Sequence, residues 1–228
     1  MDFNNLFAHE EIITQPLFYL FVVCSALLGI AFFRGKRVNE RMFRDAFQDL
    51  VAVIRPQDQT FTNIGGTIGY HARLVTRKTD PVTLVEATIT FLPRQALLWM
   101  PISLLIRKYD RLFITFHLRH QPLAEGHLIE TAYARFRGPK ITNADRLQQE
   151  AVRWGNNDFL LYYSNETIRQ RLRQFLNRNQ TPGAIRHIAL VPEQKKAFVF
   201  MIPTRGQVAA GLAPVYQWLP GVLKTPGK

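Results

Sequence analysis

The sequence predicts an α+β protein that begins with one transmembrane helix, and three kinds of pattern lead to this prediction. An uncharged apolar run occupies residues 16–33. Some later segments alternate apolar and polar residues, as in 84–92, which is typical of half-buried strands. Others repeat apolar residues every three or four positions, which is typical of amphipathic helices. The order of these elements indicates antiparallel sheets in two small lobes, residues 34–119 and 120–228.

The apolar run 16–33 is 18 residues long and carries no charge. A spanning helix needs about 20 apolar residues, with about 17 as the lower limit. A buried core helix would suit a run of about 10–14 residues better. A cleaved signal peptide would need a basic start and small residues at its end. Residues 1–15 are acidic instead, and the run ends in Phe32 and Phe33, so we expect a retained membrane anchor.

Positive charge is absent before the end of this run and abundant after it. No Lys or Arg precedes Arg34, whereas five bases follow at once: Arg34, Lys36, Arg37, Arg41 and Arg44. Lys and Arg flank membrane spans on the cytoplasmic side, where they also contact lipid headgroups. We therefore expect residues 1–15 to form a short outer tail and the rest of the chain to be cytosolic.

The region after the anchor is strongly basic. The chain has 29 bases and 17 acids, a net charge of +12. Three of the acids precede the anchor, which leaves 29 bases against 14 acids in residues 34–228. An excess of this sign attracts polyanions such as RNA, DNA or anionic lipid, although it can also serve solubility alone.

The first predicted lobe begins with an amphipathic helix over 38–54, whose apolar face holds Phe43, Phe47, Leu50, Val51 and Ile54. Pro56 and the polar residues after it end that helix. Strands follow at 67–75, 83–92 and 111–119. A helix over 94–108, kinked at Pro101, separates the last two strands. We expect its apolar part, 97–106, to lie in the core, and contact with the membrane or a partner is the alternative.

The second predicted lobe contains further strands and helices. Its predicted elements are a strand at 127–136, a turn at 137–143, a helix over 144–154 capped by Asn143, a helix capped by Asn165, a hairpin at 185–203 and a final helix over 207–223 interrupted at Pro214. The helix after Asn165 has an apolar stripe formed by Ile168, Leu172, Phe175 and Leu176. Residues 197–202 are apolar on both faces, which predicts a central strand.

No pattern in the sequence indicates catalysis or a cofactor. The single cysteine, Cys24, excludes an internal disulfide or a cysteine-based metal site. GGTIG at 65–69 lacks the spacing of nucleotide-binding loops and is interpreted as a turn. His117 and His120 lie three apart on a strand and so face opposite sides, which is unsuitable for one metal ion. We predict that the protein is not an enzyme.

The succession of motifs resembles the calumin family, coiled-coil-domain proteins of the endoplasmic reticulum. Three stretches carry the resemblance: GKRVNERMF after the anchor (35–43), TITFLPRQALLWMPISLLIRKYDRLFITFHL (88–118) and the hairpin IRHIALVPEQKKAFVFMIP (185–203). It covers most of residues 17–223. Because residues 1–15 do not hold the family's long acidic region, and its terminal coiled coil is not present in the sequence, we expect a compact, divergent member.

The resemblance implies a non-enzymatic role in membrane-protein biogenesis at the endoplasmic reticulum. Its members pair with a small membrane partner, Asterix, in a chaperone for nascent multipass proteins beside the Sec-type translocation channel and under the ribosome. A basic cytosolic domain would suit ribosomal RNA there, because Lys and Arg contact phosphates without reading sequence. The candidate RNA-binding residues are Arg107, Lys108, Arg111, Arg169, Arg171, Arg173 and Arg178. The alternative is a single-anchor structural subunit of a large membrane complex, for example in an organelle inner membrane.

Overall fold

The computed structural model describes residues 15–135, 138–139, 141–142 and 144–224. It confirms an α+β fold in which one long apolar helix precedes an antiparallel sheet. The α-helices in the described residues are α1 (Pro16–Ile54), α2 (Met100–Arg107), α3 (Thr131–Arg135), α4 (Glu166–Arg178) and α5 (Val208–Trp218). Residues 1–14 of the outer tail, the cap Asn143 and the last four residues lie outside the described residues.

Helix α1 joins the apolar run and the first amphipathic helix without a break. It has 39 residues and is therefore about 58 Å long. Its side chains before Gly35 are largely exposed, whereas the later turns bury Ala46, Phe47, Leu50 and Ile54 against the rest of the protein. The predicted helix 38–54 is confirmed, and it continues the apolar run as one rigid element.

Nine strands of the described residues form one sheet. They are β1 (Asp58–Asn63), β2 (Gly69–Val75), β3 (Val82–Thr90), β4 (Arg111–Leu118), β5 (Gly126–Glu130), β6 (Gln148–Trp154), β7 (Asn157–Tyr163), β8 (Ile185–Val191) and β9 (Lys196–Met201). Their spatial order is β1-β2-β3-β4-β9-β8-β5-β7-β6, and every pair is antiparallel. Since β4 pairs with β9, strands from both predicted lobes share one sheet, and two separate lobes are not seen.

The main core lies between one face of the sheet and helices α1, α4 and α5. The predicted alternation of β4 is confirmed, because Leu112, Ile114 and Phe116 are all buried on this face. The predicted stripe of α4 is buried here too. Strand β9 is fifth of nine in the sheet, as its apolar faces predicted.

Several predicted elements are wrong in type or extent. Residues 148–154 form strand β6 rather than a helix, and β7 pairs with it after a turn at Gly155, which has a positive φ of 59°. The predicted strand 127–136 ends at Glu130 and continues as helix α3. Residues 58–63, predicted only as a polar connection, form the exposed edge strand β1. This strand was not predicted because most of its residues are polar and none of them is buried, so no apolar alternation marks it.

The two prolines predicted to disturb helices have different effects. Pro101 stands in the first turn of α2, where a missing N–H costs no hydrogen bond, so it starts that helix instead of kinking it. Pro214 lies inside α5, yet the helix continues to Trp218 and passes into a 3-10 turn. The predicted interruption at Pro214 is therefore wrong.

Candidate membrane junction and basic surfaces

The connection between β3 and β4 exposes a continuous apolar surface. Its 3-10 turn, Leu97–Trp99, leads directly into α2. Seven large apolar side chains are exposed here: Leu97, Leu98, Trp99, Ile102, Leu104, Leu105 and Ile106. Leu98 and Leu105 are 78% and 81% exposed, and within the segment only Ser103 is buried. The expected core position of residues 97–106 is therefore wrong, and we call these ten residues the apolar loop.

The apolar loop is attached to α1 close to the point where the uncharged run ends. A Cβ atom added to Gly35 would lie 2.2 Å from the carbonyl oxygen of Arg94, so the helix backbone is in direct contact with the backbone that leads into the apolar loop. Gly35 is two residues, or about 3 Å, beyond Phe33 along the helix axis. The turn Leu97–Trp99 also lies beside α1.

A buried polar network fixes this attachment. The amide nitrogen of Asn39, a fully buried residue, donates to the carbonyl oxygen of Leu92 at 3.0 Å, and the Asn39 amide oxygen accepts from Arg94 at 2.9 Å. The Arg94 guanidinium also donates to both carboxylate oxygens of Asp110, at 3.0 and 2.7 Å. Asp110 in turn accepts from the backbone N–H of Leu92 at 2.7 Å. The network joins both ends of the connection to α1.

The β1–β2 turn lies at the same end of the sheet. The N–H of Phe91 donates to the carbonyl oxygen of Ile68 at 2.8 Å, which places that turn beside the start of the apolar loop. Ile64 in the turn is 55% exposed. Gly66 has a positive φ of 61°, which confirms that GGTIG is a turn.

The five bases that follow the apolar run lie on the turns of α1 next to this end of the sheet. Arg34, Arg37, Arg41 and Arg44 are exposed. Lys36 is half-buried, with its ammonium 3.8 Å from a Glu40 carboxylate oxygen four residues later. All five lie on helix α1, although the sequence predicted a helix only from residue 38 onward after the apolar run.

Three of the predicted RNA-binding residues, Arg107, Lys108 and Arg111, lie at the same end of the sheet as the apolar loop. Arg107 donates to the carbonyl oxygen of Phe91 at 3.3 Å. Arg111 packs its guanidinium 5.9 Å from the centre of the Tyr109 ring. Its Nε is buried without a hydrogen-bond partner among the described residues. Arg111 is thus partly enclosed rather than displayed on a surface.

The other four predicted RNA-binding residues divide into two pairs on α4. Arg169 and Arg173 both bind the carboxylate of Glu150 on β6, each with a closest distance of 2.8 Å. Their hydrogen bonds, that of Arg173 foremost, lower the pKa of Glu150. Arg171 and Arg178 instead line a groove between α4 and α5, together with Trp218. The four arginines form one group in the sequence, because nothing in the sequence shows that Glu150 lies on a strand beside α4.

A second cavity, of about 420 Å³, lies on the other face of the sheet. Aromatic side chains of Phe113, Tyr133, Phe198 and Phe200 line it, together with the histidines His127 and His187. No sequence pattern indicated this cavity, because its lining residues come from strands far apart in the chain. Among the described residues, no three His, Cys, Asp or Glu side chains are grouped as a metal site would require.

The two histidines of this cavity are stacked, with ring centres 5.8 Å apart. Burial, and secondarily the neighbouring His127, lowers the pKa of His187 to about 3. Burial also lowers the pKa of His127, although a 3.2 Å hydrogen bond with Glu125 opposes this. Both rings are therefore neutral at physiological pH. Elsewhere, His117 faces Glu86 at 2.6 Å.

Within the described residues, α1 is the one helix long and apolar enough to cross a membrane. No model of a known protein family matches the chain, and no curated protein matches it either.

Proposed function

We propose that this protein is a single-pass, non-enzymatic factor for membrane-protein biogenesis. In this proposal residues 16–33 cross the endoplasmic reticulum membrane, the outer tail is lumenal and the sheet domain is cytosolic. The observation that carries the proposal is the continuity of α1, whose apolar part leads without a hinge into a domain with a large excess of bases. A rigid connection of this kind holds the basic domain at a fixed distance from the membrane, where ribosomes dock on a translocation channel.

The proposal draws its partners from the resemblance to the calumin family. They are ribosomal RNA, the Sec-type channel, a small Asterix-like membrane protein and nascent multipass chains. No bound cofactor is part of this role. The cytosolic domain would supply the ribosome contact, and the lipid-embedded part of α1 would contact the small partner.

Arg171 and Arg178 are the best candidates for contacting RNA. They are seven positions apart, so they lie on the same side of α4, about 10 Å apart along its axis. Both are exposed and border a groove that contains Trp218. Arg169 and Arg173 are weaker candidates, because each would have to exchange its Glu150 contact for a phosphate.

Salt-dependent co-sedimentation with ribosomes tests this role. The full-length protein in detergent should sediment with ribosomes at low salt, and its affinity should fall steeply as salt rises. The double variant Arg171→Ala/Arg178→Ala should bind more weakly, and the slope of log affinity against log salt should decrease by about 2. Arg73→Ala/Arg153→Ala is the matched control, because it removes two exposed bases from the opposite face of the sheet. Failure of the wild type to sediment at low salt would overturn the proposal.

The second candidate function is that of a structural subunit in a large membrane complex. The ion pairs of Arg169 and Arg173 with Glu150 favour it, since they use two bases to fix α4 on the sheet rather than to bind a polyanion. In that case ribosomes would not retain the protein at low salt, and the detergent-solubilised protein would migrate with other membrane proteins in a large particle.

A further inference from the structure

We propose that the apolar loop, residues 97–106, inserts into the membrane surface beside the anchor. It would lie at the boundary between headgroups and acyl chains, in the leaflet from which α1 emerges, and the protein would thus hold the membrane at two points. This inference rests on the membrane anchoring in the proposed function. It goes further by assigning a lipid-binding role to a segment of the sheet domain.

The apolar loop exposes a contiguous set of large apolar side chains. Soluble monomeric proteins rarely expose large contiguous apolar patches, and where such patches occur they mark binding or membrane-interaction sites. Seven neighbouring large apolar side chains are exposed here, and no charge occurs between Leu97 and Ile106. The binding of such a surface to a bilayer interface strengthens with the apolar area that it buries there.

The position of the loop identifies the bilayer as its occupant. The carbonyl oxygen of Leu92 meets Asn39, and the carbonyl oxygen of Arg94 meets Gly35, one helical turn nearer the apolar run. The chain therefore runs along α1 toward the anchor just before the apolar loop begins. Since the contact with Gly35 lies about 3 Å from the end of that run, an anchored α1 brings the loop to the membrane surface.

The chemistry of the loop and its neighbours suits an interface. Trp99 is more than half exposed, and tryptophan is enriched at the headgroup level of membranes. Arg107 and Lys108 follow the last apolar residue, and the bases of α1 begin at Arg34, next to the Gly35 contact. The loop is thus bordered by bases that can contact lipid phosphates. This assigns Arg107 and Lys108 to headgroups rather than to ribosomal RNA.

The attachment of the loop keeps its apolar side chains exposed on the surface of the sheet domain. The network of Asn39, Arg94 and Asp110 holds both of its ends, and the Arg94–Asp110 pair is largely buried. A loop fixed in this way is not free to fold its leucines back onto the sheet. Insertion into the bilayer would cover its exposed apolar side chains.

Fluorescence of single labelled cysteines in lipid vesicles tests the inference. Cys24 is the one cysteine of the chain and lies in the apolar run, so the labelled wild type reports on the anchor. In a Cys24→Ser background, Leu98→Cys and Leu105→Cys report on the loop. Thr79→Cys is the matched control, because it lies in the exposed turn between β2 and β3 at the opposite end of the sheet. Each protein carries an environment-sensitive nitrobenzoxadiazole label.

The vesicles contain phosphatidylcholine and phosphatidylglycerol, with nitroxide-labelled lipids as quenchers. We expect labels at 98 and 105 to emit at shorter wavelength and to be quenched at least twofold by nitroxides near the headgroups. The label at 79 should show neither effect, and the label at Cys24 should be quenched best by nitroxides deep in the acyl chains.

The outcomes separate the two proposals. Quenching at Cys24 without quenching at 98 and 105 would overturn the membrane-inserted loop and leave the anchor intact. Absence of quenching at all positions would overturn the anchor itself. Shorter-wavelength emission at 98 and 105 without quenching by lipid would mean that copies of the protein cover each other's loops, which also contradicts the inference.

Discussion

Gly35 is a residue whose lack of a side chain decides how the helix and the sheet domain fit together. Replacing it by alanine would force a Cβ atom to within 2.2 Å of the Arg94 carbonyl oxygen, and backbone cannot rotate away as a side chain does. Alanine improves helix propensity by about 1 kcal/mol, but overpacking costs typically 1–3 kcal/mol and here involves two backbones. We predict that Gly35→Ala lowers the free energy of unfolding by about 2 kcal/mol, which corresponds to a melting temperature roughly 4–8 °C lower.

Gly29 provides the control for this prediction. It lies in the same helix, and a Cβ atom added to it would meet no other atom within 4 Å. Gly29→Ala should therefore leave the melting temperature of the detergent-solubilised protein unchanged or raise it slightly. Equal melting curves for Gly35→Ala and the wild type would show that the backbones of Gly35 and Arg94 are not in contact as described.

His187 should make the protein sensitive to acid. Its pKa is about 3 in the folded state, compared with about 6.5 in an unfolded chain. The unfolded state therefore binds an extra proton as the pH falls below 6.5, and stability decreases between pH 6.5 and pH 3. For this group alone we predict a loss of about 2 kcal/mol between pH 8 and pH 5. Urea unfolding at these two pH values measures it.

The variant His187→Phe should remove this part of the pH dependence, because phenylalanine fills the same aromatic cavity and does not titrate. The comparison of interest is the difference between variant and wild type, since carboxylates also contribute to acid unfolding. A His120→Phe variant keeps His187 and should show the same decrease in unfolding free energy between pH 8 and pH 5 as the wild type. An identical loss in His187→Phe would contradict the assignment of a neutral buried ring.

At the scale of elements, the sequence predicted those whose periodicity also determines their burial. Strand β4 and helix α4 each have an apolar stripe that packs into the core, so pattern and structure agree. Strand β6 was mistaken for a helix because its exposed edge position leaves little alternation to detect, and only Trp154 is buried. The apolar loop was placed in the core because hydrophobicity alone does not distinguish core from membrane. The ion pairs of Glu150 depend on tertiary contacts and were beyond prediction.

Helix α4 allows one of the correct predictions to be tested directly. The N–H of Ile168 donates to the side-chain oxygen of Asn165 at 3.0 Å, so Asn165 caps the helix. Asn165→Ala should lower the free energy of unfolding by about 1 kcal/mol, whereas Asn165→Asp should preserve the cap. Urea unfolding of both variants measures the difference. If the two variants had equal stability, the cap would contribute nothing.

At the scale of the whole molecule, α1 couples two environments. Its apolar turns suit lipid and its later turns form part of the core, and no hinge residue separates them. The loop attached at Gly35 broadens the apolar end, and the bases lie just beyond it. The distribution of charge along this axis predicts which side of the membrane the sheet domain occupies.

Two natural sequons report on that orientation. Asn165-Glu166-Thr167 and Asn179-Gln180-Thr181 both lie in the sheet domain, and glycosylation requires exposure to the lumen. Full-length protein synthesised in the presence of microsomes should therefore remain unglycosylated. The opposite membrane orientation is expected for a variant in which glutamine replaces Arg34, Lys36 and Arg37 and lysine stands at positions 4, 5 and 10. That variant should then show a glycosidase-sensitive gel shift.

Replacing both sequon asparagines by glutamine in the inverted variant should abolish that shift, which ties it to these two sites. The glycosylation state of the wild type shows whether the sheet domain lies in the lumen or in the cytosol. If the wild type carried glycans, the basic domain would face the lumen, away from ribosomes, and its excess of positive charge would need another partner. If neither protein were modified and protease removed the sheet domain from both, the junction bases would not determine orientation, although the cytosolic location would stand.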